Sequence, residues 1–336
     1  MRRIRVLIKI VLVLGMIGLL GGVGWLVWES RPPDEAGSGL VIFEVAKGQS
    51  VRSVAEALKA RGLIRKSAPF ILIYKLFHKD ENIKAGEFAV PAGRGTKETL
   101  ETLLRGKIFL HPVTVAEGLT AAETFDVFLA ASFGTREEFE AGFKDTTEIA
   151  LIDPAAADLE GYLHPETYRF PKGAAASEIL SSMVAQFKDV FGPEARRRAA
   201  EIGMIPREAV VLASLIEKET RLPEEKPLVS AVFHNRLRVG MKLECDPTVI
   251  FALKRDGMYK GQLRTRDLKY DSPYNTYMVG GLPPGPICNP GRASIEAALF
   301  PAAADYIFFV ANREGGHVFS RTLREHRNAV RAYRQK

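Results

Sequence analysis

Apolar and polar positions divide this chain into one long apolar run and a series of short amphipathic pieces. From Ile10 to Trp28 no residue is charged, and a helix of that length spans a hydrocarbon core. Residues 29–40 hold Pro32, Pro33 and Gly37-Ser38-Gly39, the composition of a linker. Val41 to Val45 then reads as a short strand. Ser50 is placed to cap a helix running to Lys59, whose apolar stripe is Val51, Val54, Ala55 and Leu58. A helix over Ser67–Leu76, a strand at Phe88–Val90 and a Thr96-capped helix to Leu104 follow.

Thr120 and Glu123, and again Thr135 and Glu138, have capping-box spacing. The hexapeptide starting at Val45 is echoed at Val115–Thr120, either as a duplicated module or as a common way of starting a helix. Residues 160–171 are too broken by proline and glycine for regular structure. Further helices are expected at Ser177–Phe191, Glu194–Ile202, from Pro206, at Leu228–Arg238 and at Leu323–Gln335. Tyr306–Val310 and Val318–Ser320 read as a hairpin.

The Pro206 helix carries the most informative segment, Val211-Leu-Ala-Ser-Leu-Ile-Glu-Lys-Glu-Thr220. At about 100° per residue, Val211, Leu212, Leu215 and Ile216 share one face. Glu217 falls opposite them, beside Ala213 and Ser214, where a carboxylate lining a cleft would stand. Glu219 falls in the middle of the bulky face. The plainer reading is that both are solvated helix charges.

Composition narrows the classes. The net charge of +7 is modest and its basic residues are spread out, without a Lys/Arg block interleaved with aromatics, so nucleic acid is not expected as a partner. Arg2, Arg3, Arg5 and Lys9 precede the apolar run, which places residues 1–9 in the cytoplasm and the rest outside. The long run and the lack of a small-x-small cleavage site favour an anchor over a cleaved signal peptide. Two cysteines, Cys245 and Cys288, and six scattered histidines form no metal-binding spacing. Neither a metal nor a cofactor is expected.

Four segments after Glu217 are unusual. In Leu243-Glu-Cys-Asp-Pro-Thr248, Asp246 reads as the cap of a helix beginning at Pro247. Asp271-Ser-Pro-Tyr-Asn-Thr-Tyr277 combines aromatic faces with amide and hydroxyl groups, which suits a saccharide and equally a surface loop. The Pro- and Gly-rich run Gly280–Pro286, continuing to Asn289-Pro-Gly291, fixes a backbone path of its own. Gly315-Gly316-His317 carries a lone strand histidine, more often structural than catalytic.

Taken together in order and spacing, several of these segments resemble the endolytic murein transglycosylase (YceG-like) family. They are Glu160-Gly-Tyr-Leu163, Pro165-Glu-Thr-Tyr168, Ala213-Ser-Leu-Ile-Glu-Lys-Glu-Thr220, Phe233-His-Asn-Arg-Leu237, Asp246-Pro-Thr248, Tyr274-Asn-Thr-Tyr277, Gly281–Ile287 and Gly315-Gly-His317. The resemblance covers nearly the whole chain. It implies an α+β fold: a single N-terminal transmembrane helix, a small LysM-like α/β module and a larger mixed α+β catalytic domain. The boundaries expected are a cytoplasmic tail at 1–9, an anchor at 10–28, a linker at 29–40, the LysM-like module at 41–112 and the catalytic domain at 113–336.

The resemblance further implies that Glu217 is the catalytic acid and base, with Glu219 in support. Ser214, Asp246, Thr248, Tyr274, Asn275 and Tyr277 are the expected substrate-binding residues. It implies cleavage of nascent peptidoglycan between N-acetylmuramic acid and N-acetylglucosamine, leaving 1,6-anhydro ends. The work is expected at the outer face of the inner membrane, beside the peptidoglycan synthases, where strand length is set. It also brings Cys245 and Cys288 near one another, leaving a disulfide beside the cleft open. Two rivals stand: a muramidase using Glu166, Glu219 or Asp246 as a second carboxylate, and a tethered glycan-binding scaffold.

Overall fold

A computed structural model describes residues 2–34 and 37–334. Met1 of the expected tail, Glu35 of the linker and Gln335 of the last helix lie outside the described residues. The architecture is mixed α+β, with helices predominating and three two-stranded sheets among the described residues.

Helix α1 (Arg2–Glu29) contains a stretch long and apolar enough to cross a membrane, and its side chains are largely exposed. Contacts divide the chain into two units. One runs through His111 and includes Arg169–Lys172; the other holds Pro112–Tyr168 and Gly173 onward.

In the first unit, β1 (Leu40–Val45) pairs antiparallel with β2 (Gly86–Pro91), with Phe43 opposite Phe88. Helices α2 (Val51–Ala60), α3 (Ser67–Phe77) and α4 (Thr96–Arg105) close over one face of this ribbon. The alternation in β1 and the stripe of α2 deliver Phe43, Val45, Val54, Leu58, Phe70 and Phe88 to a single core. Ser50 caps α2 by accepting from Ser53 N. The residue before α4 is Gly95, and Thr96 is its first helical residue without a side-chain cap.

In the second unit, both capping boxes form, at the starts of α5 (Ala121–Ala130) and α6 (Arg136–Phe143). The aromatic segment 160–171 is more regular than its prolines suggest. Strand β4 (Thr167–Phe170), whose last two residues fall in the first unit, pairs with β3 (His111–Thr114), because Pro165 stands before the ladder rather than inside it. Helices α7 (Ala176–Val190) and α8 (Pro193–Glu201) follow, and then α9 (Pro206–Glu219), α10 (Lys226–Arg238) and α11 (Asp246–Arg255). Helix α12 (Arg292–Leu299), the hairpin of β5 (Phe308–Ala311) and β6 (His317–Ser320), and α13 (Leu323–Arg334) complete the fold. Helix α9 is the axis of this unit: every residue from Ala209 to Ile216 is buried, and α12 and α10 pack on it.

Candidate active site

Pro206 starts α9, where its missing N–H costs nothing, and Glu208 accepts from Ile205 N at 3.0 Å. The helix ends at Thr220, which is extended, so Glu217 and Glu219 occupy its last turn. Two residues of helix rotate a side chain by about 200°, and the two carboxylates reach different surroundings.

Glu217 enters an enclosed ion pair. Lys226, the first residue of α10, lies 3.1 Å from Oε1 and 3.2 Å from Oε2. Gly291 N and Ser294 Oγ donate to Oε2 at 3.0 and 2.7 Å. These donors belong to the start of α12, so the carboxylate also meets the positive end of that helix. The Glu217 and Lys226 side chains are 7% and 4% exposed. Glu117 approaches Lys226 from the solvent side at 3.8 Å. The cleft-lining position expected for Glu217 is thus a packed one, with three donor groups already on its oxygens.

Glu219 is the opposite case. Its side chain makes no hydrogen bond to a nitrogen or hydroxyl donor among the described residues; its neighbour is the Cys245 thiol. Burial pushes the Glu219 carboxyl up to about 7, against the Cys245 contact, which lowers it; Asp246 adds to the rise. His317 and Arg236 act from further off to lower it. Burial, reinforced by Glu219, holds the Cys245 thiol well above its ordinary range, so it remains a proton donor.

The surroundings of Glu219 are held firmly. Glu225 takes His317 Nδ1 at 2.7 Å, His317 N at 2.7 Å and Thr220 Oγ1 at 3.1 Å. Against burial, which raises it, these bonds keep the Glu225 carboxyl below its usual value. An ionised Glu225 places a proton on His317 Nδ1. On the other side, Tyr277 donates to Asp246 Oδ1 at 2.6 Å. Burial, then this bond, raises the Tyr277 phenol, so it stays protonated. Glu244, two residues before Asp246, has φ 50, a strained conformation for a side-chain-bearing residue.

Comparison with known proteins adds a family to this geometry. The profile of the YceG-like family matches residues 43–332. This chain belongs to the YceG-like family. A Bacillus subtilis relative named endolytic murein transglycosylase is 29% identical over 90% of this chain and 87% of its own length. Relatives of the same name from Streptococcus pneumoniae are 26% identical, and the chain spans 59% of their length. A crystal structure of a putative YceG-like protein from Listeria monocytogenes superposes with a TM-score of 0.59 at 31% identity. That match covers 86% of this chain and 98% of that one.

The remaining residues expected at a YceG-like binding surface divide into frame and wall. Ser214 is fully buried; its hydroxyl donates to Val211 O and accepts from Ile287 N. Thr248 is fully buried too, donating to Cys245 O and facing Thr276 Oγ1. Asn275, also fully buried, staples its loop by donating to Leu268 O and Tyr270 O. None of these three offers a free group to a ligand. Asp246 and Tyr277 stand beside Glu219, whereas Tyr274 lines a separate cavity with Glu160.

Asp246 is exposed and does not cap α11: the capping position is Cys245, without a side-chain bond. The Asp246 carboxylate turns instead to Tyr277. Cys245 and Cys288 are both free and buried, so no disulfide joins them. Each lies against a different part of α9, Cys245 at Glu219 and Cys288 at Ser214 O. Lys226, Ser294 and Glu225 are absent from the motifs singled out in the sequence. The echo of the first helix start at Val115–Thr120 was the available signal for Glu117, since its Gly118 turn packs against Glu217.

Proposed function

We propose that this chain is a membrane-anchored lytic transglycosylase that cuts murein glycan strands endolytically, with Glu219 as its acid and base. The observation that carries the assignment is the contrast within α9. Glu219 has a carboxyl raised to about 7 and is not engaged by strong donors, whereas Glu217 already serves Lys226, Gly291 and Ser294. A general acid must hold its proton near neutrality and keep its oxygens free for the substrate. Glu219 therefore takes the role that the motif alone gives to Glu217.

In this reading the Glu219 proton passes to the glycosidic oxygen as the bond from C1 of N-acetylmuramic acid breaks. The sugar's own 6-hydroxyl oxygen then bonds to C1, and its proton returns to Glu219. The product carries a 1,6-anhydro end and no water is consumed. His317, fixed by Glu225, and Asp246, fixed by Tyr277, flank the carboxyl and hold its field constant.

Asp246 supports a second reading. It is an exposed carboxylate whose charge reaches Glu219, and a hydrolase would use such a partner for a water or a nucleophile. The name shared by relatives over most of the chain favours the transglycosylase. The basic residues in the first turns of α1, ahead of its apolar run, favour a cytoplasmic tail at 1–9 and an anchor at 10–28. We assign 29–40 as the linker, 41–112 as a LysM-like module and 113–336 as the catalytic domain outside the membrane. Beside the peptidoglycan synthases, such an enzyme would set strand length.

The test is mass spectrometry of the ends released from uncrosslinked glycan strands by the full chain in detergent, beside Glu219→Gln and Glu217→Gln. Anhydro ends that vanish with Glu219→Gln and persist in folded Glu217→Gln support the assignment. Ends heavier by one water identify the hydrolase. Full activity in Glu219→Gln returns the role to Glu217.

A further inference from the structure

A cavity of about 520 Å³ opens in the second unit beside Glu160, within the usual size range of small-ligand sites. Its walls come from the starts of α5 and α9, the end of α11, the loop through Glu160 and the turn at Gly285. Phe251 and Tyr274, ring centroids 5.0 Å apart, supply an aromatic wall.

Most of its charges are already satisfied. Arg207 donates to Asp153 at 2.7 Å and to Pro284 O, while Asp153 also receives the Tyr162 hydroxyl. Lys254 pairs with Glu123 at 2.8 Å. Three groups are left over. Arg255 lies over the Tyr274 ring at 5.2 Å and has no carboxylate partner among the described residues. Asp158 accepts only from Glu160 N, through Oδ1, and meets no cation among them. Glu160 takes Ala121 N across its two oxygens. Burial raises its carboxyl to about 8, which leaves it a neutral donor and acceptor.

A ligand that completes this cavity carries a carboxylate for Arg255, an ammonium for Asp158 and an amide to share a proton with Glu160. A neutral sugar would leave both charges unpaired. We propose that this cavity binds the zwitterionic peptide stems of murein, separately from the glycan at Glu219. This rests on the murein reading given above. The same loops tie the cavity to the last turn of α9: Asn289 accepts from Gly161 N and Leu163 N through its side chain, and from Gly118 N through its backbone. Gly118 packs on Glu217. Peptide recognition would thus select strands that still bear stems.

Calorimetric titration of the full chain in detergent tests this with acetyl-L-Ala-γ-D-isoglutaminyl-L-Lys, whose only charges are the lysine ammonium and the C-terminal carboxylate. Saturable binding is expected. C-terminal amidation should weaken it by about tenfold or more, the size of one charge-assisted contact. In Arg255→Ala the free acid should bind as weakly as the amide, with no further loss on amidation. Asp158→Asn should show the same loss of discrimination toward a peptide acetylated on its lysine. Absence of binding, or discrimination unchanged in Arg255→Ala, overturns the proposal. The assay needs no turnover. A chain that binds the peptide and cleaves no strand sinks the enzymatic reading alone; one that cleaves stem-free strands and binds no peptide sinks the cavity proposal alone.

Discussion

Lys226 holds Glu217 with its ammonium 3.1 and 3.2 Å from the two carboxylate oxygens, at the point where α9, α10 and α12 converge. Removing one member of so enclosed a pair strands the other. Glu217→Ala should therefore cost about 3–5 kcal/mol of stability. The double variant Glu217→Ala/Lys226→Met should recover part of that loss. Denaturant unfolding of the four proteins in the cycle measures it, and a single-variant cost below about 1 kcal/mol would show the pair to be dispensable.

The pH profile should follow Glu219. Its proton is required for the leaving group, and the carboxyl sits at about 7. The protonated fraction falls as pH rises through that value. Cleavage should hold steady below it and decline about tenfold per pH unit above it. Initial rates between pH 5 and 9 check this, and a profile that rises through neutrality would contradict it.

Stability should fall as pH rises. In the folded chain Glu160 keeps its proton to about 8, whereas its ordinary value is 4.5. Between those values the native state binds more protons than the unfolded chain, so unfolding free energy declines with pH. Glu219 adds to the decline up to about 7. The effect is absent below 4.5 and complete above 8. Thermal melts of wild type and Glu160→Gln over this window should show a shallower decline in the variant.

Asn289 is fully buried and serves three backbone groups: Gly161 N at 2.9 Å, Leu163 N at 3.1 Å and Leu119 O at 3.1 Å. Asn289→Ala leaves the two N–H groups unpaired, while Leu119 O keeps the backbone N–H of residue 289 at 2.8 Å. At about 1–3 kcal/mol for each unpaired group before relaxation, the loss should exceed about 2 kcal/mol. Asn289→Asp should lose less, because only the donated bond to Leu119 O disappears. Denaturant midpoints of the two variants test the order.

Local chemistry made much of the fold legible. Ser50, Thr120 and Thr135 cap helices because their own hydroxyls reach amides three residues on, a relationship contained in a few residues. Periodicity found the bulky face of α9 but not that its Ala213–Ser214 face is buried as well, because that burial comes from segments distant in the sequence. Helix α12 escaped because Arg292–Leu299 has only eight residues, too few for its stripe to stand out. Its absence hid Ser294, and with it part of the reason Glu217 is engaged. The role of Glu217 is set by Lys226 on the next helix and by Gly291 and Ser294, 74 and 77 positions away, which no helical wheel displays. Asp246 has the right spacing for a cap, yet a tyrosine 31 residues on captures it.

The two-residue step between Glu217 and Glu219 makes the end of α9 a matter of phase. One carboxylate locks the helix at a fixed rotation and the other is presented by that rotation. Lengthening α9 by a single residue between Ile216 and Glu217 would turn both by about 100°. Neither Lys226 nor Cys245 would then meet its partner. The residue count of this helix end is fixed by what its two faces must reach.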